Sequence, residues 1–368
     1  MKRFITIFPQ GANIHLIKDV GMIPFFLQKE GYYRSTVAFY SDEEELKYLQ
    51  GEVMGLSYNR IIRFFRNENV NIFLFILFNI RRFDVFMFFH QSLVKTIIAI
   101  FFKVITFNKL KFYFKLDAND SIMESKLARS RSLFNKFKIF LYNRIDLVSV
   151  ETRYIQHFLT KQLKMKVAYI PNGFDFGRQL VTETNGRSIQ KDNLISLVGR
   201  IGAPEKDNST MLKALSFVDL KDWQVEFLGP IDLDFQTEIR SFFASNPQHV
   251  AKVLFRGNID DRNQLLLSLT KSKVFVQTSK FESFGIALLE AISCGCYPVS
   301  TNLTPSKEIL GHIGHLFEVG DYNNLAVILQ SIIDGKITLP LSSSIINSAK
   351  QKYSWTSIVK QINFNLED

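Results

Sequence analysis

At 368 residues the chain is more than twice the roughly 150 residues of one ordinary domain, which argues against a single core and for two domains. Its 46% hydrophobic and 22% charged residues exclude wholesale disorder and collagen-like repetition. The net charge of +10 is unevenly spread: residues 1–170 hold 26 Lys and Arg against 14 Asp and Glu, whereas residues 171–368 hold 19 against 21, so any affinity for polyanions or an anionic membrane surface belongs to the first half.

In chain order, short β-branched and aromatic runs alternate with helical patterns, the signature of βαβ units around parallel sheets. The first half predicts strands over Phe4–Phe8, Ser35–Phe39, Ile72–Phe75, Val85–Phe89, Lys111–Lys115 and Leu147–Val150. Ile122–Asn143 predicts a basic amphipathic helix or helix pair able either to pack on the sheet or to lie on a bilayer, and RIIRFFR at Arg60–Arg66 raises the same question. The longest uncharged apolar stretch, Val70–Ile80, is far short of the ~18–20 residues of a membrane span, and the apolar run before Pro9 is too short for a secretory leader. PNGFD at Pro171–Asp175 reads as a turn, and polar Thr182–Asn193 as the interdomain linker. Strands then follow at Leu194–Val198, Gln224–Leu228, Val253–Arg256, Val274–Gln277, Tyr297–Ser300 and His315–Glu318, with helices such as Thr210–Phe217 and Arg262–Thr270. Two doubly wound domains would face a central cleft, with ligands at the carboxyl ends of strands.

The chemistry concentrates in SKFESFGIALLEAISCGCYPVSTN, Ser279–Asn302. A strand ends in a loop carrying Glu282, and Gly285 then opens a helix whose first N–H groups, at Gly285, Ile286 and Ala287, suit a phosphate. Glu282 lies before this helix and Glu290 more than one turn inside it, so one ligand lying across the helix end would meet both. Taken alone, the pair reads as a helix-start acid and a solvated helix residue. Arg200 and Lys206 follow the strand Leu194–Val198, where two cations would neutralise a diphosphate as it becomes a leaving group. Cys294 and Cys296, the only cysteines, provide neither a disulfide framework nor a four-ligand metal site; they read as packed thiols in a reducing cytoplasm.

These residues resemble glycosyltransferase family 4, retaining enzymes of GT-B fold. The resemblance rests on two Glu with seven residues between them around an F-G turn, followed by small residues, glycine and a Pro-Val strand. It extends through VGRIGAPEKDNSTMLKAL (Val198–Leu215), QVEFLGP (Gln224–Pro230), LFRGNID (Leu254–Asp260), AYIPNGFD (Ala168–Asp175) and KYSWTSIV (Lys352–Val359). It implies an α/β chain of two Rossmann-like doubly wound domains: 1–172 for the acceptor, with a C-terminal helix 353–368 crossing back, and 173–352 for a nucleotide-diphosphate sugar. By resemblance, Arg200 and Lys206 bind the donor pyrophosphate. Gly257, Asn258 and Ile259 approach the nucleobase, Ser283, Phe284, Gly285 and Ile286 line the phosphate-binding helix end, and Glu290 takes ribose hydroxyls. Glu282 orients the donor sugar and is catalytic in that sense.

The first half departs from the family pattern. A Gly-Gly loop is replaced by QGANIHLIKDVG with the single Gly11, and the family's His after a later strand has two competitors, His90 in FMFFHQS and Asp117 in KFYFKLDAND. His15 and Lys18 stand near the first helix and are candidates for donor phosphate or acceptor. Asp232 and Asp234 have Asp-x-Asp spacing but follow Gly229-Pro230, so no metal is expected, nor any cofactor beyond the nucleotide-sugar co-substrate. The reading is a metal-independent hexosyltransferase-type enzyme acting on a saccharide or lipid-linked acceptor in bacterial-type cell-surface polysaccharide or glycoconjugate synthesis. It would be cytoplasmic and peripheral on the inner face of the membrane. The alternatives are a sugar-nucleotide epimerase, a phosphorylase, or a silent GT-B nucleotide-sugar or glycan-binding protein; no nucleic-acid module is recognisable.

Overall fold

The computed structural model describes residues 1–40, 46–90, 92–117, 133–177 and 190–367. The chain divides into two units, Met1–Gly173 with Trp355–Asp368, and Phe174–Ser354. Each is built on one all-parallel sheet, a pairing that requires a crossover connection between neighbours and hence the alternation of strands and helices seen in the sequence.

In the first unit, strands β1 (Lys2–Ile7), β2 (Tyr33–Phe39), β3 (Ser57–Arg60), β4 (Val85–Phe89), β5 (Lys111–Leu116), β6 (Leu147–Val150) and β7 (Ala168–Tyr169) pair in the order β3-β2-β1-β4-β5-β6-β7. Alternate residues feed opposite faces. Val85, Met87 and Phe89 of β4 pack with α1 (Asp19–Lys29) and the C-terminal helix, while Phe86 and Phe88 join Phe112 and Phe114 of β5 in a second core. That second core is closed by α3 (Glu68–Asn79), α4 (Leu93–Ile105) and α5 (Leu133–Tyr142), which follow the one-turn helix α2 (Lys47–Gln50); α6 (Arg153–Leu163) comes next in the chain.

The predicted strand at Ile72–Phe75 is instead the middle of α3, whose first turn is capped by the Asn67 side chain accepting from Asn69 N–H at 2.9 Å. A short apolar run does not distinguish a buried strand from a helix, and here the cap and the twelve-residue length decide it. The edge position is taken by polar β3, which the apolar pattern does not reveal. Of Ile122–Asn143, residues up to 132 lie outside the described residues; α5 accounts for Leu133–Tyr142. The stretch 178–189 of the predicted linker is likewise outside them, and Asp192 and Asn193 already belong to the next strand.

The second unit has β8 (Asp192–Val198), β9 (Gln224–Leu228), β10 (Val253–Gly257), β11 (Ser272–Gln277), β12 (Tyr297–Thr301) and β13 (His315–Phe317), ordered β10-β9-β8-β11-β12-β13. Its helices are α7 (Asn208–Leu215), α8 (Phe235–Ser245), α9 (Arg262–Lys271), α10 (Ile286–Ser293), α11 (Thr304–Leu310), α12 (Tyr322–Ile333) and α13 (Ser342–Tyr353). The final helix α14 (Trp355–Glu367) belongs to the first unit, where Trp355 stacks on Phe26 with centroids 6.3 Å apart. Lys2 and Tyr33 both bind Glu367, at 2.6 and 3.2 Å.

Candidate active site

In a doubly wound sheet the order reverses beside the first strand, and the loops leaving the two strands at that point diverge to opposite faces, opening a crevice. In the second unit these strands are β8 and β11. The loop after β8 carries Arg200 and Lys206; the loop after β11 carries Ser279 and Glu282. Two hydrogen bonds join the loops: Thr278 Oγ1 donates to Lys206 O at 2.7 Å, and Lys280 N–H to Glu205 O at 2.8 Å.

Lys206 Nζ consequently meets Glu282 Oε1 at 2.6 Å, and the same oxygen accepts from Ser279 Oγ at 2.8 Å. Ser279 is itself fixed, its carbonyl accepting from Thr301 Oγ1 at 2.7 Å. Their side chains are 25% and 14% exposed for Lys206 and Glu282, so the pair is partly sheltered yet reachable. Three residues on, Gly285 caps α10 with φ +95°, a conformation that side-chain-bearing residues rarely adopt. The first-turn N–H groups of Ile286 and Ala287 have no acceptor within the helix. Ser283 and Phe284 bridge the two, and Phe284 is anchored in the core against Tyr353. Arg200 is 67% exposed and pairs with Glu205, not with Glu282.

Glu290 is buried one turn farther along α10 and forms an ion pair with Arg262, at 8% and 13% side-chain exposure. Arg262 opens α9, immediately after the Asp261 cap. Gly257, Asn258 and Ile259 lead into that helix start, and Gly257 O accepts from Gly229 N–H at 2.9 Å. A Cβ on Gly229 would lie 1.9 Å from Gly199 O, so the loops after β8, β9 and β10 are laced together at a distance only glycine permits. Among the described residues, no group of three or more His, Cys, Asp and Glu is placed to hold a metal ion. Cys294 and Cys296 are both buried and free, and burial pushes both thiols up, Cys296 to about 11.

The corresponding reversal in the first unit lies between β1 and β4. There the Phe8 ring has His15 at 5.1 Å and His90 at 5.5 Å. His15 Nδ1 accepts from Ala12 N–H at 3.0 Å, which leaves Nε2 to carry the ring proton. His90 is exposed with φ +52°, its carbonyl held by Lys95 Nζ at 3.3 Å. Gly11 sits in the same loop, where a Cβ would strike the Phe39 ring at 2.6 Å. Lys18 caps α1 and is exposed. Asp117 is exposed just past β5, and burial, with repulsion from Asp117 added to it, raises both Asp19 and Glu151.

Beneath Asp117 lies a buried charged network. Lys115 Nζ meets Glu151 at 3.0 Å and Asp19 at 3.8 Å, and Asn172 Nδ2 donates to Glu151 at 2.9 Å. Burial lifts the Glu151 carboxyl to about 7 against the pull of Lys115, while the two carboxylates outweigh burial at Lys115 and hold its ammonium charged.

The structure therefore brings Lys206 to Glu282, and His15 to His90 around Phe8. It leaves Arg200 on Glu205 and gives Glu290 a partner, Arg262, that sequence reasoning overlooked. A cation in the first turn of a helix opposes the helix dipole, and that was the available signal. Lys115 was also overlooked, although a lysine at an inward position of KFYFKL announces a buried charge needing partners.

Residues 183–352 match the family described as Glycosyl transferases group 1. Over 172 residues the chain is 27% identical to the phosphatidyl-myo-inositol mannosyltransferase of Mycobacterium leprae (strain TN), covering 46% of this chain and 44% of that protein. Over 205 residues it is 25% identical to the protein of the same name from Mycobacterium tuberculosis (strain ATCC 25618 / H37Rv), covering 52% of each. The chain thus spans about half the length of the curated relatives it matches. Across its full length it superimposes on Anabaena Alr3699/HepE, solved in complex with UDP-glucose, with a TM-score of 0.72, 16% identity and 100% of both chains covered. The sucrose-phosphate synthase tll1590 from Thermosynechococcus elongatus gives 0.73 at 14% identity, covering 99% and 98%. The fold is that of two Rossmann-like domains of the GT-B type.

Proposed function

We propose that the protein is a retaining glycosyltransferase that moves a hexosyl group from a nucleotide-diphosphate sugar, UDP- or GDP-linked, to a saccharide or lipid-linked acceptor in cell-surface glycan synthesis. The observation that carries this reading is the Lys206–Glu282 contact of 2.6 Å beside the Gly285 helix start. A cation, an acid and free N–H groups converge there, as a diphosphate joined to a sugar requires. Lys206 and the first-turn N–H groups of α10 stabilise the departing diphosphate, with Arg200 supplying a second cation as it exchanges Glu205 for phosphate. Glu282, oriented by Ser279, holds the donor sugar hydroxyls and faces the positive charge that develops on the ring. Glu290 takes the ribose, and Gly257–Ile259 the base. On the first unit, Gly11, His15, Lys18, His90 and Asp117 present the acceptor.

Two cations and a helix end supply the charge stabilisation that a metal supplies elsewhere, so transfer is metal-independent. The donor is a co-substrate, and the enzyme works in the cytoplasm at the inner face of the membrane. That location is supported by the basic first unit and by the free, buried cysteines; among the described residues no helix is long and apolar enough to cross a membrane.

Calorimetric titration with UDP, GDP and ADP, with and without EDTA, tests the donor site. One nucleotide should bind with micromolar affinity, insensitive to EDTA and weakened by Glu290→Ala and by Arg200→Ala. Absence of binding, or indifference to both substitutions, would remove the donor site and favour a glycan-binding role.

A further inference from the structure

A surface helix of a globular domain normally turns a polar stripe to water. Helix α4 does not: its inner side packs on the sheet through Ala99 and Phe102, while Val94, Ile97, Phe101 and Val104, spaced three or four apart, are 46–66% exposed on the outer side. The helices on either side continue the pattern. On α3, which touches α4 through Phe73 and Phe101 at 5.6 Å, Leu77 and Phe78 are exposed; on α5, Phe137 and Phe140 are exposed. Beyond the end of α4, Phe107 is 86% exposed with φ +53°, a conformation unusual for a bulky residue, so the turn holds a strained backbone with the ring in water. An exposed apolar tract spread over adjacent helices marks an interaction surface.

Charge identifies the partner. The stretches 68–83, 93–109 and 133–145, which contain these three helices, hold eight Lys and Arg against one acid, Glu68. Lys95 is matched by Glu68 at the start of α3, and Lys103 by Asp146 from outside those stretches. Arg81, Arg82, Lys109, Lys136 and Arg144 are exposed, and Arg144 lies over the Phe140 ring at 4.5 Å. A second copy docked symmetrically through this face would set cation against cation. A surface both apolar and anionic is the interface of a bilayer containing acidic lipid.

We propose that the outer face of α3, α4 and α5, with the Phe107 turn, is the membrane-docking surface of this protein, its aromatic and aliphatic side chains entering the interfacial layer of an anionic leaflet. The proposal deepens the reading of an acceptor held at a membrane and rests on that reading for its place in the reaction, while the partner is chosen by charge.

The test is co-sedimentation of the full chain with vesicles of phosphatidylcholine alone and of phosphatidylcholine mixed with phosphatidylglycerol. Wild type should pellet with the mixed vesicles and not with the neutral ones. Phe107→Asp, which suits the positive φ, and Val104→Glu should each lower binding about tenfold, the scale of one buried large side chain; Phe217→Asp, at an exposed position of the second unit, should not. Failure of wild type to pellet, or variants that bind undiminished, would overturn the proposal. So would light scattering that shows a dimer dispersed by the same variants, since a second copy would then be the occupant. UDP titration of the same samples separates the two readings, because loss of nucleotide binding with vesicle binding intact would count against the donor site alone.

Discussion

Lys206 and Glu282 offer the sharpest test, because the structure predicts opposite signs for their removal. Lys206 is committed to Glu282 at 2.6 Å, so an incoming diphosphate must compete with the carboxylate for the ammonium. Lys206→Met removes one charge-assisted hydrogen bond to the diphosphate, worth about 1.5–3 kcal/mol, and leaves the Glu282 anion facing the phosphates. UDP affinity should fall at least tenfold and up to about a hundredfold. Glu282→Gln releases Lys206 and removes that anion, while its amide can still accept from Ser279 Oγ. UDP should then bind as tightly as to wild type or more tightly, while sugar transfer slows because the developing charge on the ring has lost its anion. Titration calorimetry with UDP at two salt concentrations, paired with initial rates on a nucleotide-sugar donor, reads both quantities. If Glu282→Gln weakened UDP as much as Lys206→Met, the ion pair would be a structural prop for the loop, and the competition argument would be wrong.

The Arg262–Glu290 pair predicts strong coupling. Either single alanine leaves a buried charge unmatched, costing about 3–5 kcal/mol, whereas the double alanine should cost less than the sum; denaturant titration of the four proteins checks it. At Gly285, space is not the obstacle, since a Cβ would lie 3.7 Å from Gln277. The φ of +95° is, so Gly285→Ala should cost about 1–2 kcal/mol and lower the melting temperature by a few degrees, measurable by calorimetry, with weaker UDP binding. Glu151 predicts a pH dependence. Burial raises its carboxyl from 4.5 to about 7, so between these values the folded state keeps a proton that the unfolded chain has released. That contribution to stability is complete below 4.5 and is lost as the pH rises through 7. Melting curves between about pH 5 and pH 8 should show stability falling across this range, and Glu151→Gln should flatten the fall.

Most of the second unit was legible in the amino-acid sequence. Strands buried on both faces are written as short apolar runs, so Gln224–Leu228 and its neighbours, and the helix opened by Gly285, could be read directly from local pattern. The first unit was less open to this reading. The apolar run of α3 satisfies strand and helix alike until its Asn67 cap is weighed, and β3 at the sheet edge has a polar sequence with no alternation.

Sequence alone determined which residue types are proposed for the diphosphate, because cations after one strand and an acid before a glycine-opened helix are local facts. It did not determine which of them meet. Lys206 reaches Glu282 across 76 positions because β8 and β11 are neighbours where the sheet order reverses, while Arg262 reaches Glu290 across 28 and Arg200 turns to Glu205 instead. Those pairings are set by strand order and crossover packing, which are properties of the whole sheet. The same holds for the exposed face of α4: its apolar residues are plain in the sequence, but only packing on the sheet divides Ala99 and Phe102, which are covered, from Val104 and Phe101, which are left in water.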